Sequence, residues 1–116
     1  MNEDDYLDRV FHALSDSKRR AMLKMLSQSQ MQVAELGEPF GMSKQATSKH
    51  LAVLEQAGFV EKLKEGRIKR CTLNAKPLKD VEQFVRDYHK FWVNQFDALE
   101  SYIEKRKRQE GDENDS

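Results

Sequence analysis

The sequence predicts a mainly α-helical domain that carries one small β-hairpin. Apolar residues recur every three or four positions over most of the 116 residues, which is the period of an α-helix. Two helical segments flank a turn at Gly41, and two extended segments after them are joined by a polar turn that contains Gly66. A helix, a tight turn, a second helix and a basic hairpin in this order are typical of a winged helix-turn-helix fold.

Three helices are predicted before the turn at Gly41. The first covers about residues 4–14, and the second covers about residues 17–27 behind capping side chains at residues 15–17. The third covers about residues 32–40. Because Pro39 lacks a backbone donor, we expect this third helix to be short or distorted.

The fourth predicted helix follows the turn and begins after Ser43, whose hydroxyl is a good N-cap. It ends near Gln56, where Gly58 supplies a C-terminal glycine. Gly41 permits the positive φ that the preceding turn needs. The turn therefore sets the fourth helix at an angle to the third.

Two strands and a long helix complete the predicted fold of about five helices and a two-stranded wing. The strands cover about residues 59–63 and 68–73 and are joined through residues 64–67. Apolar residues then recur for about thirty positions without an internal cap, which predicts one pairing helix over about residues 77–106. The acidic tail, residues 109–116, is predicted to be disordered.

Residues 1–108 are predicted to form a single domain, since domains usually contain about 100–200 residues. Only 38% of the residues are apolar and 34% are charged. This composition gives a thin core under a charged surface, so we expect a second copy of the chain to complete the core. The single cysteine excludes a disulfide within the chain.

Charges of the two signs are segregated along the chain, although 20 basic and 20 acidic side chains give a formal net charge of zero. Residues 43–76 hold eight basic and three acidic side chains. Residues 1–16 hold one and five, and residues 77–104 hold three and six. A polyanion responds to the local field more than to the net charge, so the basic middle of the chain predicts a nucleic-acid partner.

The predicted DNA-binding surface combines the fourth helix with the hairpin. In this fold the second helix of the motif enters the major groove of double-stranded DNA. Glutamine pairs with adenine, lysine binds phosphate or guanine, and hydroxyls bind either bases or phosphates. The candidate DNA-binding residues are Ser43, Lys44, Gln45, Thr47, Ser48, Lys49, His50, Lys64, Arg67, Lys69 and Arg70. For His50, contact with a protein neighbour and contact with a phosphate are equally consistent with the sequence.

Aromatic residues on the long helix form a stripe, which we interpret as a dimer core with the first helix beside it. The candidate dimer-interface residues are Leu7, Val10, Phe11, Phe84, Tyr88, Phe91, Trp92, Phe96 and Leu99. A ligand pocket lined by this stripe is one alternative. The other is a protein-interaction module that keeps the winged-helix shape but does not read DNA.

Three segments carry a resemblance to a known family. Residues 10–20 are similar to its first-to-second-helix signature, except that Ser17 replaces the usual proline, and residues 41–58 are similar to its recognition helix. Gly66-Arg67 with Leu73-Asn74 matches its wing. The chain thus resembles the ArsR-type winged-helix repressors of bacteria and archaea over about residues 6–104. The resemblance implies a homodimer that represses transcription at a palindromic operator by promoter occlusion, often that of its own operon.

Many members of that family release DNA when they bind a metal ion, and the resemblance leaves their sites incomplete in this chain. Their third-helix cysteine pair falls at Gln32 and Ala34. Asp87 and His89 match half of a second site, whose other half is broken at Ile103. Because a divalent ion needs three or four ligands, we expect no metal site and no cofactor.

Cys71, on the second predicted strand, is expected to be a small buried hydrophobe. A metal-switched or thiol-switched sensor is therefore the weaker alternative to a plain repressor. The sequence identifies no inducer.

Neither a catalytic nor a membrane function is predicted. Three scattered histidines and the lack of a phosphate-binding glycine loop give no catalytic set, so we expect no enzyme. The longest apolar run is four residues, and the acidic N-terminus lacks the basic and apolar regions of a signal peptide. We expect a soluble cytoplasmic protein without a membrane partner.

Overall fold

The structure is a computed structural model, which describes the backbone of residues 3–114 and the side chains of residues 3–110. Within that part of the chain it contains six α-helices and three β-strands. The helices are α1 (Glu3–Leu14), α2 (Ser17–Leu26), α3 (Val33–Gly37), α4 (Lys44–Gln56), α5 (Lys76–Arg86) and α6 (His89–Asn114). The strands are β1 (Met31–Gln32), β2 (Val60–Glu65) and β3 (Ile68–Leu73).

This architecture confirms a mainly helical fold with a β-hairpin wing, but the sheet has a third strand that the sequence does not predict. β1 pairs antiparallel with β3, so that Met31 lies opposite Cys71 and Gln32 opposite Arg70, and the strand order is β1-β3-β2. A strand of two residues shows no alternation that a sequence pattern can detect. β1 ties the start of α3 to the wing.

The long helix predicted over residues 77–106 is interrupted, and its two parts are α5 and α6. The amide of Tyr88 donates to the carbonyl of Val85, three residues back rather than four, which closes α5 in a tight turn. At the same place the Gln83 side chain donates to the Asp87 carboxylate at 3.1 Å. Aspartate is a poor helix former because its carboxylate competes for nearby donors. The apolar period continues across the break, which is why the pattern predicts one helix.

α6 continues to Asn114 and so includes most of the tail for which the sequence predicts disorder. Residues 104–110 are all good helix formers, and Arg108 lies 3.8 Å from Glu104 one turn earlier. These local preferences outweigh the polar composition of the segment. Residues 115 and 116 of the predicted tail lie outside the described residues.

The chain divides into two compact units, residues 1–81 and residues 82–116. The first unit holds α1 to α4, the sheet and the first half of α5, and it contains the core. Its largest fully buried hydrophobic side chains include Phe59, Met22, Leu36, Leu51 and Leu54. Full burial of such a side chain stabilises the fold by about 1.5–3 kcal/mol. The second unit consists of the rest of α5 and α6.

The start of α2 follows the predicted cap. The Asp16 carboxylate accepts hydrogen bonds from the amides of Lys18 at 2.8 Å and Arg19 at 3.2 Å. Burial alone would raise the pKa of Asp16, but these two hydrogen bonds and the nearby positive charge of Arg19 lower it. The carboxylate therefore stays ionised at neutral pH and stabilises the start of the helix.

α1 is fixed to the start of α5 by a tyrosine. The Tyr6 hydroxyl donates to the Asp80 carboxylate at 2.7 Å, and the Lys76 ammonium lies 3.1 Å from the same carboxylate. Lys76 also lies over the Tyr6 ring, 5.3 Å from its centre. Burial, together with the hydrogen bond to Asp80 and its negative charge, raises the pKa of Tyr6 to about 12. The hydroxyl is therefore a permanent donor at neutral pH.

α3 and α4 lie close together at Gly37. The helix predicted over residues 32–40 is short and distorted, as expected: α3 ends at Gly37, one turn of 3-10 helix that contains Pro39 follows, and Gly41 ends that turn with φ 62°. A Cβ atom at Gly37 would overlap the Thr47 hydroxyl and would lie 3.1 Å from the Thr47 Cβ. Only glycine fits at position 37 without moving α4.

We expect Gly37→Ala to lower the free energy of unfolding by about 1–3 kcal/mol, the usual cost of forcing extra volume into a packed contact. Urea unfolding followed by circular dichroism would measure this loss. Thr47→Ala removes the hydroxyl oxygen and the Cγ2 methyl group that the new methyl group would meet, and it leaves only the Thr47 Cβ atom nearby. The double variant should therefore lose less than the sum of the two single variants, and strictly additive losses would contradict the proposed clash.

Candidate nucleic-acid interface

α4 begins where the sequence predicts. The Ser43 hydroxyl accepts a hydrogen bond from the amide of Ala46 at 3.1 Å, while the Ser43 backbone stays extended, as an N-cap requires. Gly58, with φ 87°, follows the last turn, and its amide donates to the carbonyl of Glu55 at 2.9 Å. Both ends of α4 are therefore set by local hydrogen bonds that the sequence signals.

The two faces of α4 differ in exposure. Its inner face carries Leu51 and Leu54, which are fully buried. Its outer face carries Lys44, Gln45 and Lys49, which are exposed, and Ser48, which is half-buried. These four residues share a surface, as expected of a helix that enters a groove, and their contact with DNA stays a prediction.

Thr47 does not belong to this outer surface, although the sequence analysis includes it among the DNA-binding candidates. It is fully buried, and its hydroxyl donates to the carbonyl of Ser43 at 2.8 Å. Thr47 lies one turn before Leu51 on the inner face of the helix, against Gly37. Its role is packing, because no atom of its side chain reaches the surface.

His50 contacts a protein neighbour, which was one of its two predicted roles. Its Nδ1 atom lies 3.2 Å from Nη1 of Arg19 on α2. The ring is half-buried at the side of α4 that faces α2. α4 is thus held on this side by a polar contact as well as by its apolar inner face.

The hairpin of β2 and β3 forms the wing, and it closes at Gly66 with φ 61°. Lys64, Arg67 and Lys69 are exposed on it. Arg70 is half-buried and lies opposite Leu63, so by the alternation of a strand it faces away from its neighbour Lys69. The predicted wing residues therefore divide between two faces of the hairpin.

A cleft of about 380 Å³ lies between the start of α4 and the wing. It brings together Lys44 and Ser48 of α4 with Arg67 and Lys69 of the wing, all of them predicted site residues. The other lining residues are Gln32, Val33, Ala34, Lys62 and Ile68. Four basic side chains converge here from two elements, so the cleft has the charge that a phosphate backbone needs.

Lys62 is a cleft residue that sequence reasoning missed. It lies opposite Cys71 in the hairpin, just as Lys64 lies opposite Lys69, so all four residues share one face of the sheet. Lys62 and Lys64 are two positions apart on β2, and this spacing could have indicated that both lie on the same face. Unlike Lys64, Lys62 has a fixed partner.

That partner is Glu55, near the end of α4. The Lys62 ammonium lies 2.8 Å from Oε1 of Glu55, which is a buried oxygen with no hydrogen bond from any other group in the described residues. The ion pair links β2 to α4 and so holds the wing beside the outer face of α4. Because Glu55 offsets the charge of Lys62, the free positive charge of the cleft comes mainly from the other three basic residues.

Cys71 lies beneath this ion pair and is fully buried, as predicted. Burial raises the pKa of its thiol, and the Lys62 charge only partly opposes that effect. A buried, protonated thiol is a poor nucleophile. This environment disfavours the thiol-switch alternative.

The dimer-interface candidates on α1 differ in burial. Val10 is fully buried among core residues of the first unit, so the prediction that it contacts a second copy is wrong. Its position on the apolar face of α1 identified burial but not the partner. On the same helix, Leu7 is half-buried and Phe11 is 39% exposed.

The second unit presents the predicted aromatic stripe to solvent. Exposure ranges from 40% for Phe84 to 68% for Phe96. The other candidates in the stripe, also exposed, are Tyr88, Phe91, Trp92 and Leu99. A contiguous apolar surface of this kind usually marks an interaction site.

Two further properties concern metals and membranes. In the part of the chain that the structure describes, no three histidine, cysteine, aspartate or glutamate side chains lie close enough together to hold a metal ion. None of the described helices combines the length and the apolar character that a membrane span requires.

Comparison with known proteins identifies relatives that match about two thirds to four fifths of this chain. The profile of the bacterial regulatory proteins of the arsR family matches residues 16–62, which include α2, the helix-turn-helix and the start of the wing. The transcriptional repressor SdpR of Bacillus subtilis is 34% identical over 74 residues, which are 64% of this chain and 82% of that protein.

Solved structures agree with this similarity. A crystallised ArsR family transcriptional regulator is 33% identical, with a TM-score of 0.73 over 79% of this chain and 95% of that chain. A homodimeric winged helix-turn-helix DNA-binding domain from Mycobacterium bovis, a possible ArsR-family regulator, is 28% identical. Its TM-score is 0.60 over 73% of this chain and 82% of that chain.

We expect Lys62→Met to destabilise the fold, because it leaves the buried Glu55 oxygen without a partner. Both side chains are about one-third exposed, so the loss should be about 1 kcal/mol, or about 4–8 °C in Tm. Lys64→Met, the same change at an exposed position on the same face of β2, is the matched control. Adding Glu55→Met to Lys62→Met removes the orphaned oxygen and should restore most of the loss. Equal effects of Lys62→Met and Lys64→Met would disprove the structural role of the pair.

Proposed function

This chain belongs to the arsR family of bacterial regulatory proteins and is a DNA-binding transcriptional regulator; we propose that it acts as a homodimeric repressor at an operator with twofold symmetry. The observation that carries the proposal is the basic cleft between α4 and the wing, next to an exposed polar helix face. Repression follows from occlusion of the promoter by the bound dimer, including that of the protein's own operon. Such a regulator acts where the DNA is, in the cytoplasm.

We propose that the outer face of α4 enters the major groove. Gln45 is fully available to pair with an adenine edge, and Lys49 lies one turn after it on the same exposed face. Lys44 and Ser48 lie closer to the wing and line the cleft. Sequence preference therefore rests mainly on Gln45 in this proposal, with Lys49 beside it.

The cleft would take the phosphate backbone that borders the groove. Phosphate contacts position a protein on the duplex but carry little sequence information. Lys44 approaches the backbone from α4, and Arg67 and Lys69 approach it from the wing. Lys64 and Arg70 of the wing would add phosphate contacts further from the helix.

The aromatic stripe would form the dimer. α6 has 26 residues and is therefore about 39 Å long, which is enough to bury the stripe against the stripe of a second copy. A twofold dimer of winged helices sets its recognition helices about 34 Å apart, one turn of the duplex. The homodimeric state of the Mycobacterium bovis domain supports this assembly.

A protein-interaction module is the second candidate, because the exposed stripe could equally bind an unrelated protein. That function predicts a monomer or a hetero-complex and leaves the basic cleft without a role. Operator binding and self-association therefore distinguish the two candidates.

We expect Gln45→Ala and Arg67→Ala to weaken DNA binding in different ways. Gln45→Ala should relax the preference for the operator over other duplexes by about 1–3 kcal/mol per base contact. Arg67→Ala should weaken binding to all duplexes alike and make the salt dependence shallower. Fluorescence anisotropy on operator and scrambled duplexes, over a series of salt concentrations, would measure both effects.

The salt dependence of DNA binding by the wild type tests the DNA-binding function itself. If each protomer neutralises about four phosphates, the logarithm of affinity should fall against the logarithm of salt concentration with a slope near −7. A slope shallower than about −2 on every duplex would refute the DNA-binding surface. Uniform losses in both variants would refute the division between base reading and phosphate binding.

We expect Phe96→Arg to convert the dimer to a monomer, because it places a charge at the most exposed aromatic residue of the stripe. Sedimentation velocity would measure the change, and affinity for the full operator should fall as the second half-site is lost. Asn94→Arg adds the same charge to α6 off the stripe and is the control. A dimer that survives Phe96→Arg, or dissociates equally with Asn94→Arg, would rule out the stripe as the interface.

A further inference from the structure

Arg19 is the one charged residue in the described part of the chain that is buried, with 8% exposure. Its guanidinium group donates from Nε to the carbonyl of Ala13 and from Nη2 to the carbonyl of His12, each at 2.9 Å. Those carbonyls lie in the last turn of α1, where the helix supplies no i+4 amides of its own, and the His12 carbonyl also accepts from Ser15. Arg19 therefore caps the C-terminus of α1 from α2.

Nη1 of the guanidinium group lies 3.2 Å from Nδ1 of His50 on α4, and it also lies 4.0 Å from the Asp16 carboxylate. An arginine side chain only donates hydrogen bonds and keeps its charge in proteins. The Nδ1 atom of His50 must therefore accept, which requires a neutral ring with its hydrogen on Nε2. The tautomer of His50 is thus set by Arg19.

The Nε2 atom is the free donor of this pair. Nε2 has no hydrogen-bond partner in the described residues. It is not a buried atom, so it is accessible to solvent. His50 follows Lys49 directly and lies on the flank of α4 opposite the cleft, because Lys44 and Ser48 face the wing. In a helix seated in the major groove, that flank faces the second phosphate strand that borders the groove.

We propose that Arg19 is a positioning residue for operator binding: it holds His50 so that the Nε2 hydrogen donates to a DNA phosphate on the α2 side of α4. The wing cleft binds one border of the groove, and His50 binds the other. The proposal rests on the DNA-binding function proposed above and adds a contact that does not depend on the wing.

Two substitutions at His50 separate its two nitrogens. In His50→Asn, the amide oxygen can accept from Arg19 in place of Nδ1, but the side chain is too short to replace Nε2. In His50→Gln, the amide nitrogen takes the place of Nε2. Operator affinity should fall about tenfold in His50→Asn, as for the loss of a hydrogen bond to a charged group, and less in His50→Gln.

Arg19→Lys tests whether Arg19 acts through His50. Lysine keeps the charge but lacks the planar fork that reaches three acceptors at once. Affinity should fall about as much as in His50→Asn, and the double variant should be no weaker than the weaker single variant. Additive losses would show that Arg19 acts independently of His50 and would overturn the proposal. Circular dichroism and urea unfolding would verify that each variant is folded.

Recovery in His50→Gln is a readout that a purely structural role would not give. Glutamine supplies a donor at the place of Nε2. Operator affinity closer to that of the wild type in His50→Gln than in His50→Asn, at equal stability in urea, would therefore identify Nε2 as the atom that binds phosphate.

The outcomes are distinct for the inference and for the function on which it rests. Equal losses of affinity in His50→Gln and His50→Asn would show that Nε2 is not the donor, and equal affinities of wild type and His50→Asn would show that His50 makes no contact with DNA; either result overturns the inference while DNA binding stands. If the wild type binds no duplex while the Gln45 and Arg67 variants also show none, the proposed function fails and this inference fails with it.

Discussion

The contact between Gly37 and Thr47 positions α4, and with it the outer face of α4 and the cleft beside the wing. α4 presents its polar outer face because its inner face is packed against the rest of the unit, and one point of that packing is a glycine that leaves no room for a side chain. The Thr47 hydroxyl is satisfied by the carbonyl of Ser43, so the polar group at this contact is paired rather than stranded. A larger residue at position 37 would move α4 away from α3 and would change the shape of the cleft. The position of the outer face of α4 therefore depends on how the inner face of the same helix packs.

The electrostatic field of the cleft depends on where the charged residues lie and not on the net charge of the chain. Zero net charge is compatible with DNA binding because basic side chains from separate segments of the chain converge in one cleft. The first turn of α1, in contrast, holds Glu3, Asp4 and Asp5. The pair of Lys62 with Glu55 shows that charge counted in a sequence overstates charge available to a ligand, because one lysine of the cleft is already neutralised. Neutrality as a whole limits non-specific attraction, while the local field of the cleft remains.

Features with local signals are those that the sequence predicts well. Capping by Asp16 and Ser43 and the turn at Gly41 depend on neighbouring residues, and the structure has all three where the sequence places them. Thr47 and Val10 were placed on the right helices but assigned to the wrong surface, because a period of 3.6 identifies an apolar face without identifying what covers it. The contact between Arg19 and His50 joins residues 31 positions apart, and no pattern in either segment reports that distance.

α1 connects the elements on which both proposals depend. At one end Tyr6 holds it to the start of α5, and at the other end Arg19 holds its last carbonyls and, through His50, the recognition helix. Both contacts are hydrogen bonds to or from charged groups, which are shorter and stronger than neutral ones. α4 and the start of α5 are therefore both held to α1 by hydrogen bonds between side chains and not only by the loops that connect the helices along the chain.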